Sequence, residues 1–435
     1  MHAWIDFTAT HRPRSVTQVT ERCKLRRRPR APAAISPGRG SVTTAPSRRI
    51  LESNVVRHLP HAPMSTPITA MLEYQIAARH CPGALVHVER AGRVLAKCAA
   101  GRVRSQDDTP MHDRVRFRMA SLTKPVVCAA AMMLVQEGRL ELDAPIGQYL
   151  PVLRDLRRAG GQAPRVAPTV RDLMRHTSGL AYPSEIGDAG VRAAWARAGF
   201  TTSLLGLDTS AFLDTIATLP LSCEPGTAFR YGYSTDVLGG IVEQLDALPL
   251  GESLCRRIFT PLGMEHTGFE VGTLATAELA VADPLDTAWH AMIPAIGQRQ
   301  ADRPWMDSGG AGLISTLEDY AAFGRWLADG GVVHGRRLLS EALFDELARD
   351  QLPDGVAGPG NYCGPGFGFG LGMAVRQDWG PSAMPCSTAE MTWSGISGTA
   401  LFVQPREQWF ALLLSANTAS RMMMRMEFRR AAARL

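Results

Sequence analysis

The chain has 435 residues, 20% of them charged and 45% hydrophobic, with a formal net charge of +6. That length and composition give room for two or three domains and a sizeable core, which excludes a fibrous or wholly disordered protein. The basic excess is local: residues 1–64 hold twelve Lys and Arg against three Asp and Glu, a balance of +9 that leaves −3 for residues 65–435.

Taken in chain order, residues 1–64 are rich in Pro, Arg, Ser and Thr without apolar periodicity, so a disordered basic extension is expected there. The segment lacks the apolar core of a secretory signal. It is expected to be a solvated extension, or a start placed upstream of Met64, rather than a nucleic-acid-binding arm. A folded domain over 65–435 follows. Ile68, Met71, Leu72 and Ile76 recur at helical spacing, then Ala84–Val88 and Arg93–Ala100 read as a hairpin turning at Gly92. Val115–Met119 alternates like a short strand, and Ser121 to about Glu137 reads as a helix apolar almost all round, hence buried. The apolar run inside it, Val126–Val135, has ten residues, half of the ~20 that a membrane span needs. No membrane partner is therefore expected.

The middle of the chain reads as helices at Val170–Arg175, Thr209–Thr218, Thr235–Leu248, Glu252–Phe259 and Glu318–Ala328, separated by Pro- and Gly-rich links. Strand patterns return at Phe367–Arg376, Met391–Trp393, Thr399–Gln404 and Trp409–Ser415, before a terminal helix over Ala419–Ala433. Strands at both ends with helices between them predict an α+β fold. An antiparallel sheet is built from the two ends of the domain (about 65–140 and 305–435), with a mainly helical part (about 141–304) inserted. The eight cysteines show no CxxC and no dense framework, which fits reduced thiols in a cytoplasmic protein. Neither they nor the scattered histidines imply a metal site, and no cofactor is expected.

Lysine is scarce: Lys24, Lys97 and Lys124 are the three in the chain, against 44 arginines. One of them closes Ser121-Leu122-Thr123-Lys124, a Ser-x-x-Lys placed between a strand and a buried helix. With 24 serines and three lysines, about 0.17 such matches are expected by chance. A helix start favours developing negative charge, and a lysine three residues on shares its face. A cation in a buried first turn is structurally costly, and unlike arginine it can give up its proton. Ser121 as a simple helix cap with Lys124 snorkelling to water is the bland alternative. Further along, the loop Glu224–Tyr231 delivers an aromatic hydroxyl ahead of Gly232-Tyr233-Ser234 and a helix, and Trp393-Ser394-Gly395-Ile396-Ser397-Gly398 places small residues at a strand edge.

On these motifs the sequence resembles the serine β-lactamase-like superfamily, in particular class C β-lactamases and the related family VIII carboxylesterases. The likeness spans roughly Ser65 to Ser415 and includes Leu173–Leu180, Phe259–Met264 and Gly309–Thr316. It implies a β-lactamase/DD-peptidase-like fold with Ser121 as acylated nucleophile, Lys124 as its partner and Tyr231 assisting proton transfer. It also implies an oxyanion hole from the N–H groups of Ser121 and Ile396, and substrate contacts at Tyr233, Trp393, Ser394 and Gly395. Two departures bear on substrate: Trp393 stands where a β-lactamase usually has the lysine of Lys-Thr-Gly, and Tyr233 where the second motif usually has asparagine. Both argue against carboxylate-bearing β-lactams. A serine hydrolase acting on a small-molecule carboxylic ester is thus expected, with β-lactamase or acyltransferase chemistry at the same residues as the alternative. A non-catalytic binding scaffold is the alternative of another class. No Gly-x-Ser-x-Gly elbow and no nucleotide-binding loop occurs, and His176 is expected to pack or hydrogen-bond rather than act as a base.

Overall fold

Strand Trp409–Ser415 is apolar at almost every position, which an antiparallel strand with one wet face would not be. The reason is that both faces of its sheet are covered. Trp409, Ala411 and Leu413 point to one apolar cluster, and Phe410, Leu412 and Leu414 to the other, in the two-residue alternation of a pleated strand. The computed structural model describes residues 57–58, 66–199, 207–271, 278–298, 305–377, 381–382 and 385–435, and Ser53–Leu435 forms one unit by its internal contacts.

The sheet has eight strands: β1 (Arg57–His58), β2 (Gly83–Arg90), β3 (Arg93–Gly101), β4 (Phe367–Phe369), β5 (Ala374–Arg376), β6 (Met391–Ser394), β7 (Ala400–Gln404) and β8 (Trp409–Ser415). Their spatial order is β1-β3-β2-β8-β7-β6-β5-β4, antiparallel throughout. The N-terminal hairpin pairs with the C-terminal one through β2 and β8, Val86 opposite Leu413 and Val88 opposite Ala411. The expected sheet made from distant segments is what forms. Helices α1 (Thr66–Ala77) and α5 (Arg421–Ala432) pack together on one face. Helix α4 (Leu317–Ala328), capped by Thr316, covers the other. Helix α2 (Thr123–Gln136) is buried from Thr123 to Leu134 and packs on α3 (Ser234–Asp246).

Three expectations are corrected. The segment Phe367–Arg376 is not one strand: it folds back on itself, β4 and β5 pairing across a turn at residues 370–373. Val115–Met119 does not join the sheet. Its central pair, Phe117–Arg118, makes a separate two-stranded ladder with Ile314–Ser315. Of the extension expected at residues 1–64, β1 is described and pairs with β3, while the remainder lies outside the described residues. Among the described cysteines, Cys81, Cys98, Cys128, Cys223, Cys363 and Cys386 are free thiols, whereas Cys255 is disulfide-bonded, which departs from the expectation of reduced thiols throughout. Among the described residues, no helix is long and apolar enough to cross a membrane.

Charge also ties the layers together. Arg429 of α5 grips Glu390 beside β6 through two hydrogen bonds, Nε to Oε1 at 2.9 Å and Nη2 to Oε2 at 2.5 Å. Arg325 of α4 reaches Glu89 of β2 with two more, both 2.6 Å. Burial alone would push the Glu89 carboxyl up, but the hydrogen bonds from Arg325 and His87 outweigh it and hold the group at about 2. A carboxyl depressed in the folded state stabilises above its unfolded range near 4.5 and loses that contribution as pH falls toward 2. Glu89→Gln is expected to lower stability at pH 7 by about 1–2 kcal/mol, discounted for the exposed Arg325. It should also flatten the fall in stability between pH 4.5 and 2, read by urea denaturation at each pH.

Candidate active site

Ser121 sits on a sharp turn rather than at a helix N-cap. A single 3-10 turn, Ala120–Leu122, precedes α2, whose N-cap position is Leu122 with no side-chain cap. Ala120 has φ +48°, a left-handed backbone that costs energy for any residue with a Cβ. The surroundings over-determine it. Thr123 Oγ1 donates to Ala120 O at 2.7 Å and accepts from Leu313 N at 3.0 Å, Met119 N donates to Leu313 O at 2.8 Å, and Tyr320 OH donates to Leu122 O at 2.6 Å. The residues on either side, Ala120 and Leu122 to Lys124, are buried, and Ser121 alone keeps partial exposure.

Lys124 is fully buried, 0% exposed. Its Nζ donates to Gly310 O at 2.7 Å, to Ser121 Oγ at 3.3 Å and to Tyr182 OH at 3.5 Å. It stands 4.6 Å from the centroid of the Tyr231 ring and 5.7 Å from that of Tyr182, over their electron-rich faces. The other side of Gly310 completes the arrangement: its N–H donates to Asp236 Oδ1 at 3.0 Å, and Ser308 Oγ donates to the same oxygen at 2.6 Å. Asp236 and Lys124 thus hold the same residue from two sides, one on its N–H and the other on its C=O. Burial pushes the Asp236 carboxyl up, and the Lys124 charge acts against that. Gly310 is required, since a Cβ there would lie 2.4 Å from Asp236 Oδ2.

Two tyrosines flank the lysine because two loops pair. Tyr182 N donates to Tyr231 O, and Tyr233 N to Leu180 O, both at 2.9 Å, around a bridge between Ala181 and Gly232. Tyr231 therefore arrives where its place in the sequence motif suggests. Tyr182 was not among the expected residues. Its position depends on this pairing across about fifty residues, and its one local signal is an aromatic just after Thr177–Ala181. Burial, then Tyr231, pushes the Tyr182 hydroxyl well above its ordinary value. Tyr233, expected to touch substrate, is 1% exposed: it stacks on Trp195 (5.6 Å, 8°) and meets the edge of Tyr182, so it backs the site rather than lining it.

Trp393 does form a wall, against Tyr231, Tyr362 and Phe369 at 5.1–5.8 Å, but its one donor is already used. The indole Nε1 donates to Tyr231 OH at 3.3 Å. His176 packs between Phe229, Tyr231 and Phe369 with neither ring nitrogen hydrogen-bonded. Burial, then the Lys124 charge, pushes it well below the ordinary histidine range. It belongs to the packing, as expected.

The end of β6 is stitched to the Ser121 turn. Ser397 Oγ donates to Arg118 O at 2.6 Å and Thr399 Oγ1 to Met119 O at 3.0 Å. Ser394 and Ile396 keep partial exposure between buried neighbours. A Cβ on Gly395 would lie 2.3 Å from Met119 O, so only glycine allows this approach. Among the described residues, neither the Ser121 nor the Ile396 N–H has a backbone acceptor. The arrangement therefore joins a hydroxyl beside an amine, a second hydroxyl pair and two unclaimed donors on adjoining segments, which is what attack on a carbonyl requires.

A family model described as Beta-lactamase matches residues 68–435. Esterase EstB of Burkholderia gladioli is 32% identical over 375 residues, covering 82% of this chain and 91% of the relative. Among solved structures, "EstCE1, a hydrolase with promiscuous acyltransferase activity" superposes with a TM-score of 0.72 at 25% identity, over 84% of this chain and 97% of that one. A penicillin-binding protein homologue from Caulobacter crescentus shares the fold at 19% identity and a TM-score of 0.66, over 87% of this chain and 99% of that one.

A histidine depressed in the folded state binds its proton more weakly than in the unfolded chain, so stability falls as pH drops below about 6.5. His176→Leu is expected to remove that part of the slope between pH 6.5 and 5. Chemical denaturation across that range checks it, and an unchanged slope would mean that His176 is charged in place.

Proposed function

The chain belongs to the Beta-lactamase family, and from that premise we propose that it is a serine hydrolase cleaving uncharged, short-acyl carboxylic esters through an acyl-enzyme on Ser121. The observation that carries this reading is the 3.3 Å contact from Lys124 Nζ to Ser121 Oγ inside a site where the lysine is wholly buried.

In the acylation step Ser121 Oγ attacks the ester carbonyl while its proton passes to Lys124 as a neutral amine. A free hydroxyl is too weak a nucleophile without such a base. The carbonyl oxygen gains negative charge and is met by the N–H groups of Ser121 and Ile396, donors fixed beforehand by the turn and by the end of β6. Collapse expels the alcohol, which takes a proton delivered through Lys124 and Tyr231. The two stand side by side, Lys124 Nζ lying 4.6 Å from the centre of the Tyr231 ring. Water then attacks the acyl group by the same route and releases the acid. Tyr182 supports this path because its hydroxyl lies 3.5 Å from the same Nζ.

The substrate class follows from what surrounds the serine. Where β-lactamases place a lysine able to meet a carboxylate, Trp393 presents a ring whose N–H is turned to Tyr231. Tyr231, Tyr362 and Trp393 contact one another at 4.9–5.8 Å, which favours a small apolar acyl group over an anionic one. Transfer of the acyl group to an alcohol in place of water is the second reading, supported by the likeness to EstCE1.

A panel of p-nitrophenyl esters of rising acyl length with one chromogenic cephalosporin tests the reading. Ser121→Ala is expected to lose ester turnover by more than about 10³-fold, with activity greatest at short acyl length and negligible cephalosporin hydrolysis. Equal ester turnover by both proteins would overturn the mechanism, and a preference for the cephalosporin would overturn the substrate class. Removing residues 1–63 is expected to leave kcat/KM within about twofold, since none of the groups above comes from that segment.

A further inference from the structure

Helix α5 carries two buried arginines four residues apart, and they are treated differently. Arg429 is paired with Glu390. Arg425, 7% exposed, makes no ion pair among the described residues. Its Nη2 donates to Gly395 O, its Nη1 reaches Met422 Sδ at 3.4 Å, and its Nε has no partner at all. Burial, then the charge of Arg421, lowers its pKa to about 9, while Cys363 and Tyr231 are the groups near enough to favour the charged form. A buried cation without an anion is costly, and replacement by an apolar side chain of similar volume is often neutral or stabilising. Such a cost is found where a site uses it.

The position explains the use. Gly395 C=O and Ile396 N–H belong to one trans peptide group, so they point in opposite directions. A guanidinium on the carbonyl fixes the plane of that peptide and polarises it, which strengthens the N–H on the far side as a donor. We propose that Arg425 is a positioning residue for ester cleavage: it aims and polarises the Gly395–Ile396 peptide toward the oxyanion. The proposal rests on the reading of Ser121 as nucleophile given above.

Arg425→Met and Arg425→Lys, assayed beside Ser121→Ala on p-nitrophenyl butyrate, test it. Gly395 O retains the hydrogen bond from Gly398 N at 3.0 Å, so the turn keeps a tie when the guanidinium is removed. Arg425→Met is expected to unfold at or above the wild-type temperature while kcat falls about 10- to 100-fold with KM within about twofold. Arg425→Lys, which restores the charge, is expected to recover part of kcat. Wild-type kcat in Arg425→Met would overturn the proposal. So would a loss of activity no larger than the loss of folded protein and not relieved by lysine. Full ester turnover by Ser121→Ala would instead strike the underlying reading of the site.

Discussion

A fully buried lysine on the first turn of a helix organises this protein. The helix N-terminus repels a cation and burial removes its water, so Lys124 sits where neither local effect favours it. What holds it is assembled from distant parts of the chain: the Gly310 carbonyl, the Asp236 carboxylate on the N–H of that same residue, and the ring faces of Tyr182 and Tyr231. A charge-assisted hydrogen bond contributes about 1.5–3 kcal/mol and a desolvated ring face up to about 2. Together these match the several kcal/mol that burial costs. Ser121 is simply the hydroxyl that this group reaches.

The fold serves that arrangement by fixing the turn that carries the serine. Sheet, helix and strand end converge on residues 118–123: the ladder with Ile314–Ser315 from one side, Tyr320 of α4 from another, and Ser397 and Thr399 from the end of β6. The left-handed Ala120 is tolerated because so many partners oppose its relaxation. The pairing of β2 with β8 joins the N-terminal hairpin to the C-terminal one. It matters because β7 and β6 hang from it in register, and the Ile396 N–H is delivered from the tip of β6.

How much of this was legible in the sequence depends on the range of the interaction. Ser121 and Lys124 announce themselves locally, as a rare lysine at helical spacing after a serine, and Tyr231 through its loop. The β2–β3 and β7–β8 hairpins and the apolar alternation are equally local. Tyr182 and Asp236 were not legible as site residues, because each reaches Lys124 only through a pairing formed in the fold: Leu180–Tyr182 with Tyr231–Tyr233, and Asp236 with Gly310. The direction of a side chain is likewise tertiary information. Tyr233 was expected at the substrate and stacks on Trp195 instead, and the indole N–H of Trp393, itself expected at the substrate, is turned to Tyr231. Glycine-rich alternation at residues 367–376 looked like one strand because the turn Gly370-Leu371-Gly372-Met373 continues the same alternation of glycine with apolar residues.

The proposed reaction needs at Lys124 a basic side chain able to release its proton, which sets it apart from the 44 arginines of the chain. Rapid-quench intact mass spectrometry with a p-nitrophenyl ester tests it directly, on the wild type and on Lys124→Arg, with folding checked by circular dichroism. An acyl adduct that forms on the Ser121 peptide of the wild type and is slowed by at least about 10³-fold in Lys124→Arg is the predicted result. Adduct formation in Lys124→Arg at a rate within a few-fold of the wild type would contradict the account.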